Sequence, residues 1–143
     1  MKKLLTLILV MVFVLGLIGG VALAEEHCEQ RYGQGYWKQW LAEKAEDDPE
    51  WLCSMDFTAE QLLYMLNTPA GGNATQILLY QFIAAALNAN PELNGCIMTQ
   101  EVEVAFYYAS LHLLDVLGGG EGTGTRQEIL EWKDILEHWN ENE

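Results

Sequence analysis

Basic residues are scarce in this 143-residue chain, which has 7 lysines and arginines against 21 aspartates and glutamates. The formal net charge is −14. A field of that sign repels phosphate backbones and anionic lipid headgroups, so the composition argues against nucleic-acid binding and against binding to a membrane surface. The same field attracts divalent or organic cations, and it also keeps a protein soluble outside the cell.

Recognisable motifs for catalysis and for zinc binding are also missing. The only serines are Ser54 and Ser110, and neither lies in a G-x-S-x-G sequence. His112 follows Ser110 by two residues, a spacing that directs two helical side chains to different faces. The cysteines form no C-x-x-C pair, so a zinc site is disfavoured. No catalytic residue is predicted, although a pair of carboxylates that only folding brings together stays open as an alternative.

The N-terminus has the order of regions that is typical of a secretory signal peptide. Lysines at positions 2 and 3 precede an apolar run, Leu4–Ile18, and Ala22-Leu23-Ala24 supplies the small residues that signal peptidase accepts. We expect residues 1–24 to be removed, leaving a secreted or surface-bound domain of residues 25–143 whose net charge falls from −14 to −16 because two lysines leave. The alternative is a retained membrane anchor, since the apolar stretch is just long enough to span a bilayer.

Strand-like alternation of apolar and polar residues is absent, and helical spacing recurs along the mature chain. We therefore predict an all-α fold, a single compact bundle of four to five helices. The predicted helices are Tyr36–Ala45, Ala59–Leu66, Ala74–Ala89, about Gln100–Leu117, and Arg126–Asn140. A short helical turn is expected to open at Asp48-Pro49-Glu50, because proline is favoured in the first turn of a helix.

Local signals mark where several of these helices begin and end. Thr58-Ala59-Glu60-Gln61 fits a capping box, and Asn73 is placed to cap the third helix, with Gln76 at the matching third position. The third helix is apolar almost all round, so we expect it in the middle of the bundle. The glycine-rich stretch Gly118–Gly124 has no apolar residue to pack, and we predict a mobile loop there.

The three cysteines, Cys28, Cys53 and Cys96, indicate one disulfide and one leftover thiol in an exported chain. If consecutive helices are antiparallel, the start of the second helix and the end of the third lie at the same end of the bundle. Cys53 and Cys96 flank those two ends, so we predict that they pair. Cys28 would then stay free or join two chains.

The stretch from Gly35 to Asn88 resembles a domain that recurs in secreted bacterial and archaeal proteins. The resemblance rests on a GYWK opening at residues 35–38, an LLxxLNTPxxGNAT segment at 62–75 and a QxIAAxLN helix at 81–88. It implies an exported helical domain, and it implies no particular activity. In that family an Asn-His pair usually follows the lysine; here Gln39-Trp40 takes its place, so chemistry assigned to that histidine does not carry over.

The densest aromatic cluster lies at the start of the mature chain and is our candidate ligand site. Stacking of sugar rings or of another apolar ligand on these rings is one interpretation, and burial in the core of a small helical domain is the other. The candidate ligand-binding residues are Tyr36, Trp37, Lys38, Trp40 and Trp51.

Two further polar features have both a functional and a structural interpretation. Asp47, Asp48 and Glu50 supply carboxylate oxygens for calcium, although the spacing is not that of an EF-hand and the residues equally suit a solvated turn. Asn73-Ala74-Thr75 is a glycosylation sequon, but an asparagine that caps a helix is held close to the backbone and makes a poor acceptor.

The leading functional hypothesis is an exported, non-catalytic binding or scaffolding module at the cell surface, with a carbohydrate or another surface protein as its partner. A small secreted hydrolase or metal-dependent enzyme is the first alternative, and it would need a polar cleft with perturbed titratable groups. A calcium-stabilised surface domain is the second. No cofactor other than calcium is implied.

Overall fold

The computed structural model describes residues 28–48, 50–51 and 57–141. Their secondary structure is five α-helices without a β-strand, which confirms the predicted all-α fold. The helices are α1 (Gln34–Asp47), α2 (Ala59–Asn67), α3 (Ala74–Ala89), α4 (Gln100–Leu117) and α5 (Arg126–Asn140). Over this part of the chain, no helix is both long enough and apolar enough to cross a membrane. The expected signal peptide and most of the predicted turn after Asp48 lie outside the described residues.

The capping signals place the helix starts correctly. Thr58 accepts a hydrogen bond from the Gln61 amide at 3.1 Å, and the Gln61 side chain accepts one from the Thr58 amide at 2.9 Å, which confirms the capping box. Asn73 accepts from the Gln76 amide at 3.1 Å and caps α3 as predicted. The Gln76 side chain does not complete a second box; it donates to the Met65 carbonyl at 3.0 Å and so ties α3 to α2.

Helix α3 is the central element of the bundle, as its apolar sequence predicted. It contacts all four other helices, and residues 81–88 are buried without interruption. Ala84 and Ala85 have no exposed surface, which lets neighbouring helices approach closely. Phe82 stacks on Phe106 of α4 with ring centroids 4.3 Å apart. The main hydrophobic core therefore surrounds α3.

A buried polar residue, Asn88, joins the C-terminal end of α3 to three other parts of the chain. Its side-chain oxygen accepts from the Tyr32 amide at 2.9 Å, from Trp37 Nε1 at 3.2 Å and from Asn94 at 3.1 Å. Its side-chain nitrogen donates to the Tyr32 carbonyl at 2.7 Å and to Asn140 at 3.0 Å. Every donor and acceptor of this fully buried amide is used, which is what burial of a polar side chain requires.

Asn140 extends this polar connection along α3. Its nitrogen donates to the Gln81 carbonyl at 3.0 Å and to the Gln81 side chain at 3.1 Å. Asn140 is fully buried and Gln81 nearly so. The last turn of α5 is thus fixed against α3 by hydrogen bonds as well as by the apolar side chains of Leu136 and Trp139.

The disulfide joins Cys28 to Cys96, with Cα atoms 4.7 Å apart, and the predicted Cys53–Cys96 pairing is therefore wrong. The prediction placed the start of α1 at the far end of the bundle, but Trp37 in its first turn contacts Asn88 near the end of α3. Residues 48–58 join α1 to α2, and a connection of that length does not force antiparallel neighbours. Cys28 is bonded within its own chain, so the leftover cysteine is Cys53, which lies outside the described residues.

Candidate functional site

In the predicted aromatic cluster, three tryptophan rings contact one another in succession, from the core to the surface. Trp37 is buried, with 3% of its surface exposed, and its ring meets that of Trp40 edge-on at 5.6 Å. Trp40 meets Trp51 in the same way at 5.4 Å, and Lys44 lies over the Trp51 ring at 5.4 Å. Both outer tryptophans are half-buried. Trp40 thus contacts both other rings edge-on, and Trp37 is part of the core.

The remaining predicted members of that cluster lie at the surface. Tyr36 is 45% exposed and stacks on Tyr32 with ring centroids 3.8 Å apart. Lys38 is exposed on the same helix. Of the predicted ligand-binding residues, these two are the ones most open to solvent, and binding at them stays a prediction.

The predicted calcium ligands Asp47, Asp48 and Glu50 are exposed where α1 ends. Within the described ranges, no group of three or more histidine, cysteine, aspartate or glutamate side chains is placed to hold a metal ion. Calcium binding and glycosylation of Asn73, an exposed helix cap, remain predictions.

His112 is fully buried within α4, and both of its ring nitrogens are occupied. Nδ1 accepts from the backbone amides of Thr123 at 3.1 Å and Gly124 at 3.3 Å, so it carries no proton. The proton must lie on Nε2, which is 2.8 Å from the Thr75 hydroxyl of α3. Burial lowers the pKa of His112, and the nearby Asp115 carboxylate partly opposes that effect. The imidazole is therefore neutral at pH 7 and positions the loop between α4 and α5.

The glycine-rich loop is shaped around this histidine. A Cβ atom on Gly122 would lie 2.0 Å from His112 Cε1, and one on Gly124 would lie 2.6 Å from the Trp132 ring. The Gly122 amide also donates to Asp115 at 2.8 Å. The loop thus makes hydrogen bonds to Asp115 and His112 of α4, and its mobility stays a prediction.

Ser110 offers no nucleophile. It is buried, and its hydroxyl donates to the Tyr107 carbonyl at 2.6 Å, one turn back along α4. His112 is engaged with Thr75 and the loop, and it lies on another face of the helix. The two residues therefore do not form a nucleophile–base pair.

An open groove lies between α4 and α5, and aromatic side chains form part of its lining. The residues that line this α4–α5 groove, of about 510 Å³, are Gln100, Glu101, Val104, Ala105, Tyr108, Glu131, Trp132 and Ile135. Tyr108 is 48% exposed, and its ring is nearly parallel to that of Trp132 at 6.0 Å. Val104, which is 50% exposed, adds apolar surface beside them.

A second groove of about 680 Å³ shares Glu101 and Ile135 with the first and continues toward the C-terminal end of α5. Arg31 lies over the Trp139 ring at 5.2 Å, and its Nε donates to the Trp139 carbonyl at 2.5 Å. The indole nitrogen of Trp139 is buried without a hydrogen-bond partner. The two grooves are therefore neighbours; the lining of the first is acidic and aromatic, and that of the second includes both acidic and basic residues.

The groove residues Glu101, Tyr108, Glu131 and Trp132 are absent from the site residues predicted from the sequence. A signal was present, because positions 101, 104 and 108 recur at helical spacing on α4, as do 131 and 135 on α5. That spacing is also what a core-facing stripe shows, so only the packing of the two helices identifies it as a groove.

Comparisons with known proteins found no matching family, no matching curated protein and no matching solved structure.

Proposed function

We propose that the mature chain is an exported, non-catalytic binding module that works at the cell surface and holds its ligand in the α4–α5 groove. The observation that carries the proposal is the stacked pair Tyr108 and Trp132, which keeps aromatic surface open to solvent in a concave site. Large rings that remain exposed beside polar side chains are typical of ligand and partner contacts. Glu101, Glu131 and Gln100 supply polar groups at the edges of that surface.

The side chains of His112 and Ser110 are already engaged in hydrogen bonds within the chain, which supports binding rather than catalysis. A serine hydrolase needs a hydroxyl nucleophile with a base in hydrogen-bond reach, and these two side chains are instead committed to structural hydrogen bonds. Export is supported by the signal-like N-terminus and by a disulfide, which persists in oxidising compartments.

The groove is tested with the chain that begins at Glu25, produced with its disulfide intact. Isothermal titration calorimetry measures the affinity of this chain for three probes: hexalysine, hexalysine with acetylated side chains, and cellohexaose. We expect at least one probe to bind. Tyr108→Ala should lower the affinity for that probe at least about twofold, as expected for the loss of one aromatic contact. The matched control is Tyr64→Ala, because Tyr64 is 75% exposed on α2 and does not line the groove.

The groove assignment fails if no probe shows binding that depends on Tyr108, or if Tyr64→Ala reduces affinity as much as Tyr108→Ala does. Turnover of a probe would contradict the non-catalytic part. Export is checked separately by the intact mass of the native protein, which we expect to correspond to a chain that starts at Glu25.

A further inference from the structure

We infer that the α4–α5 groove binds a lysine- or arginine-bearing peptide segment of a partner protein, with the cationic side chain as the group that is recognised. The inference rests on the proposed function and names the ligand class for the same site. It depends on the charges around the groove, on its aromatic wall and on its apolar floor.

The charges around the groove have one sign. Glu101 lies in the first turn of α4, and Glu131 lies on the facing helix α5; both are exposed and line the groove. Among the described residues that line it, none is basic. Glu131 is positioned by Gln127, whose side-chain nitrogen donates to it at 3.1 Å. The net charge of −14 adds a long-range attraction for cations and repels anionic ligands.

The aromatic side chains of the groove, Tyr108 and Trp132, suit a ligand in which a cationic group is attached to an apolar chain. An ammonium or guanidinium group within about 6 Å of a ring centroid is attracted to the face of the ring. This chain already uses that contact internally, with Lys44 over Trp51 at 5.4 Å and Arg31 over Trp139 at 5.2 Å. In the groove, the exposed ring of Tyr108 offers such a face to a ligand.

The apolar floor matches the methylene chain of a lysine or arginine side chain. Val104 is half exposed and Ile135 is half-buried, and both line the groove together with the carboxylates and the aromatic pair. Long basic side chains bury their stems on apolar surface while the charged group stays near water. The neighbouring groove of about 680 Å³, which shares Glu101 and Ile135 with the first, gives the peptide backbone room to extend.

The decisive comparison is hexalysine against the same peptide with acetylated side chains, because the two share length and stem and differ in charge. We expect acetylation to weaken binding to the mature chain by about tenfold or more, since several lysine charges are lost at once. Glu131→Gln and Glu101→Gln should each weaken hexalysine binding by about two- to fivefold. Higher ionic strength should weaken it further.

The control for general attraction is Glu60→Gln, which removes one exposed carboxylate from α2, away from the groove. If Glu60→Gln weakens hexalysine binding as much as Glu131→Gln, the groove has no specific role and the inference is overturned. If cellohexaose binds in a Tyr108-dependent way and hexalysine does not, the cationic ligand is wrong and the binding module stands. If no probe depends on Tyr108, both proposals fail.

Discussion

At the scale of single residues, His112 links stability to pH. Its pKa is held below the ordinary value of 6.5 by burial, so the unfolded chain binds a proton more readily than the folded chain does. The free energy of unfolding should therefore be highest above pH 7. It should decrease as the pH falls below 6.5 toward the lowered folded-state value.

Urea unfolding measured between pH 7.5 and pH 5 checks this expectation. His112→Gln should remove most of the dependence in that range, whereas His138→Gln should retain it, because His138 is exposed on α5. An unchanged pH dependence in His112→Gln would show that other groups are responsible.

Asn88 gives a second prediction at the residue scale. Asn88→Asp keeps the shape but replaces the nitrogen that donates to Tyr32 and Asn140 with an oxygen that faces two acceptors. We expect a loss of about 3 kcal/mol or more in unfolding free energy, since a buried carboxylate lacks compensating donors on that side. Asn67→Asp, at an exposed position on α2, is the matched control and should cost less than about 1 kcal/mol. Equal losses in the two variants would contradict the structural role of Asn88.

At the scale of elements, the α4–α5 connection depends on glycine for space. Gly122 has φ +96° and no room for a Cβ beside His112. Gly119 has φ +93° but open space around it. Alanine at either position incurs about 1 kcal/mol of backbone strain, and only Gly122→Ala adds the clash with His112, for a total of about 2–4 kcal/mol.

Thermal and urea unfolding of the two variants separate these effects. The difference between them isolates the contact between the loop and His112. If Gly119→Ala destabilises the chain as much as Gly122→Ala, the loop does not depend on that contact.

At the scale of the whole molecule, the disulfide closes a long section of chain. Cys28 and Cys96 are 68 residues apart in sequence, so their bond restricts the unfolded state strongly. Cys28→Ser should lower the unfolding free energy by up to about 4 kcal/mol. Cys53→Ser is the control and should have a smaller effect, because the bond joins the other two cysteines. Non-reducing peptide mapping should recover a Cys28–Cys96 peptide, and a Cys53–Cys96 peptide would contradict the structure.

The helices follow from local interactions and could be predicted from the sequence. The bounds of α3, α4 and α5 agree with the prediction, and the Thr58 and Asn73 caps use hydrogen bonds between residues only three positions apart. Helix α1 spans Gln34–Asp47 where Tyr36–Ala45 was predicted, and no side chain caps its start to mark the first residue. The central position of α3 also followed from its sequence, because a helix with apolar residues on every side must be covered on every side.

Contacts between segments that are distant in sequence become visible only in the folded chain. Arg31 contacts Trp139 across 108 residues of sequence and Tyr32 meets Asn88 across 56, and nothing in the local pattern of either residue specifies its partner. The placement of α1, the Cys28–Cys96 bond and the partners of His112 depend on such contacts. The α4–α5 groove does as well, because helical spacing marks a stripe of residues but not whether another helix covers it. Local hydrogen bonds determine where each helix begins and ends, whereas the packing of side chains between helices determines where the groove lies.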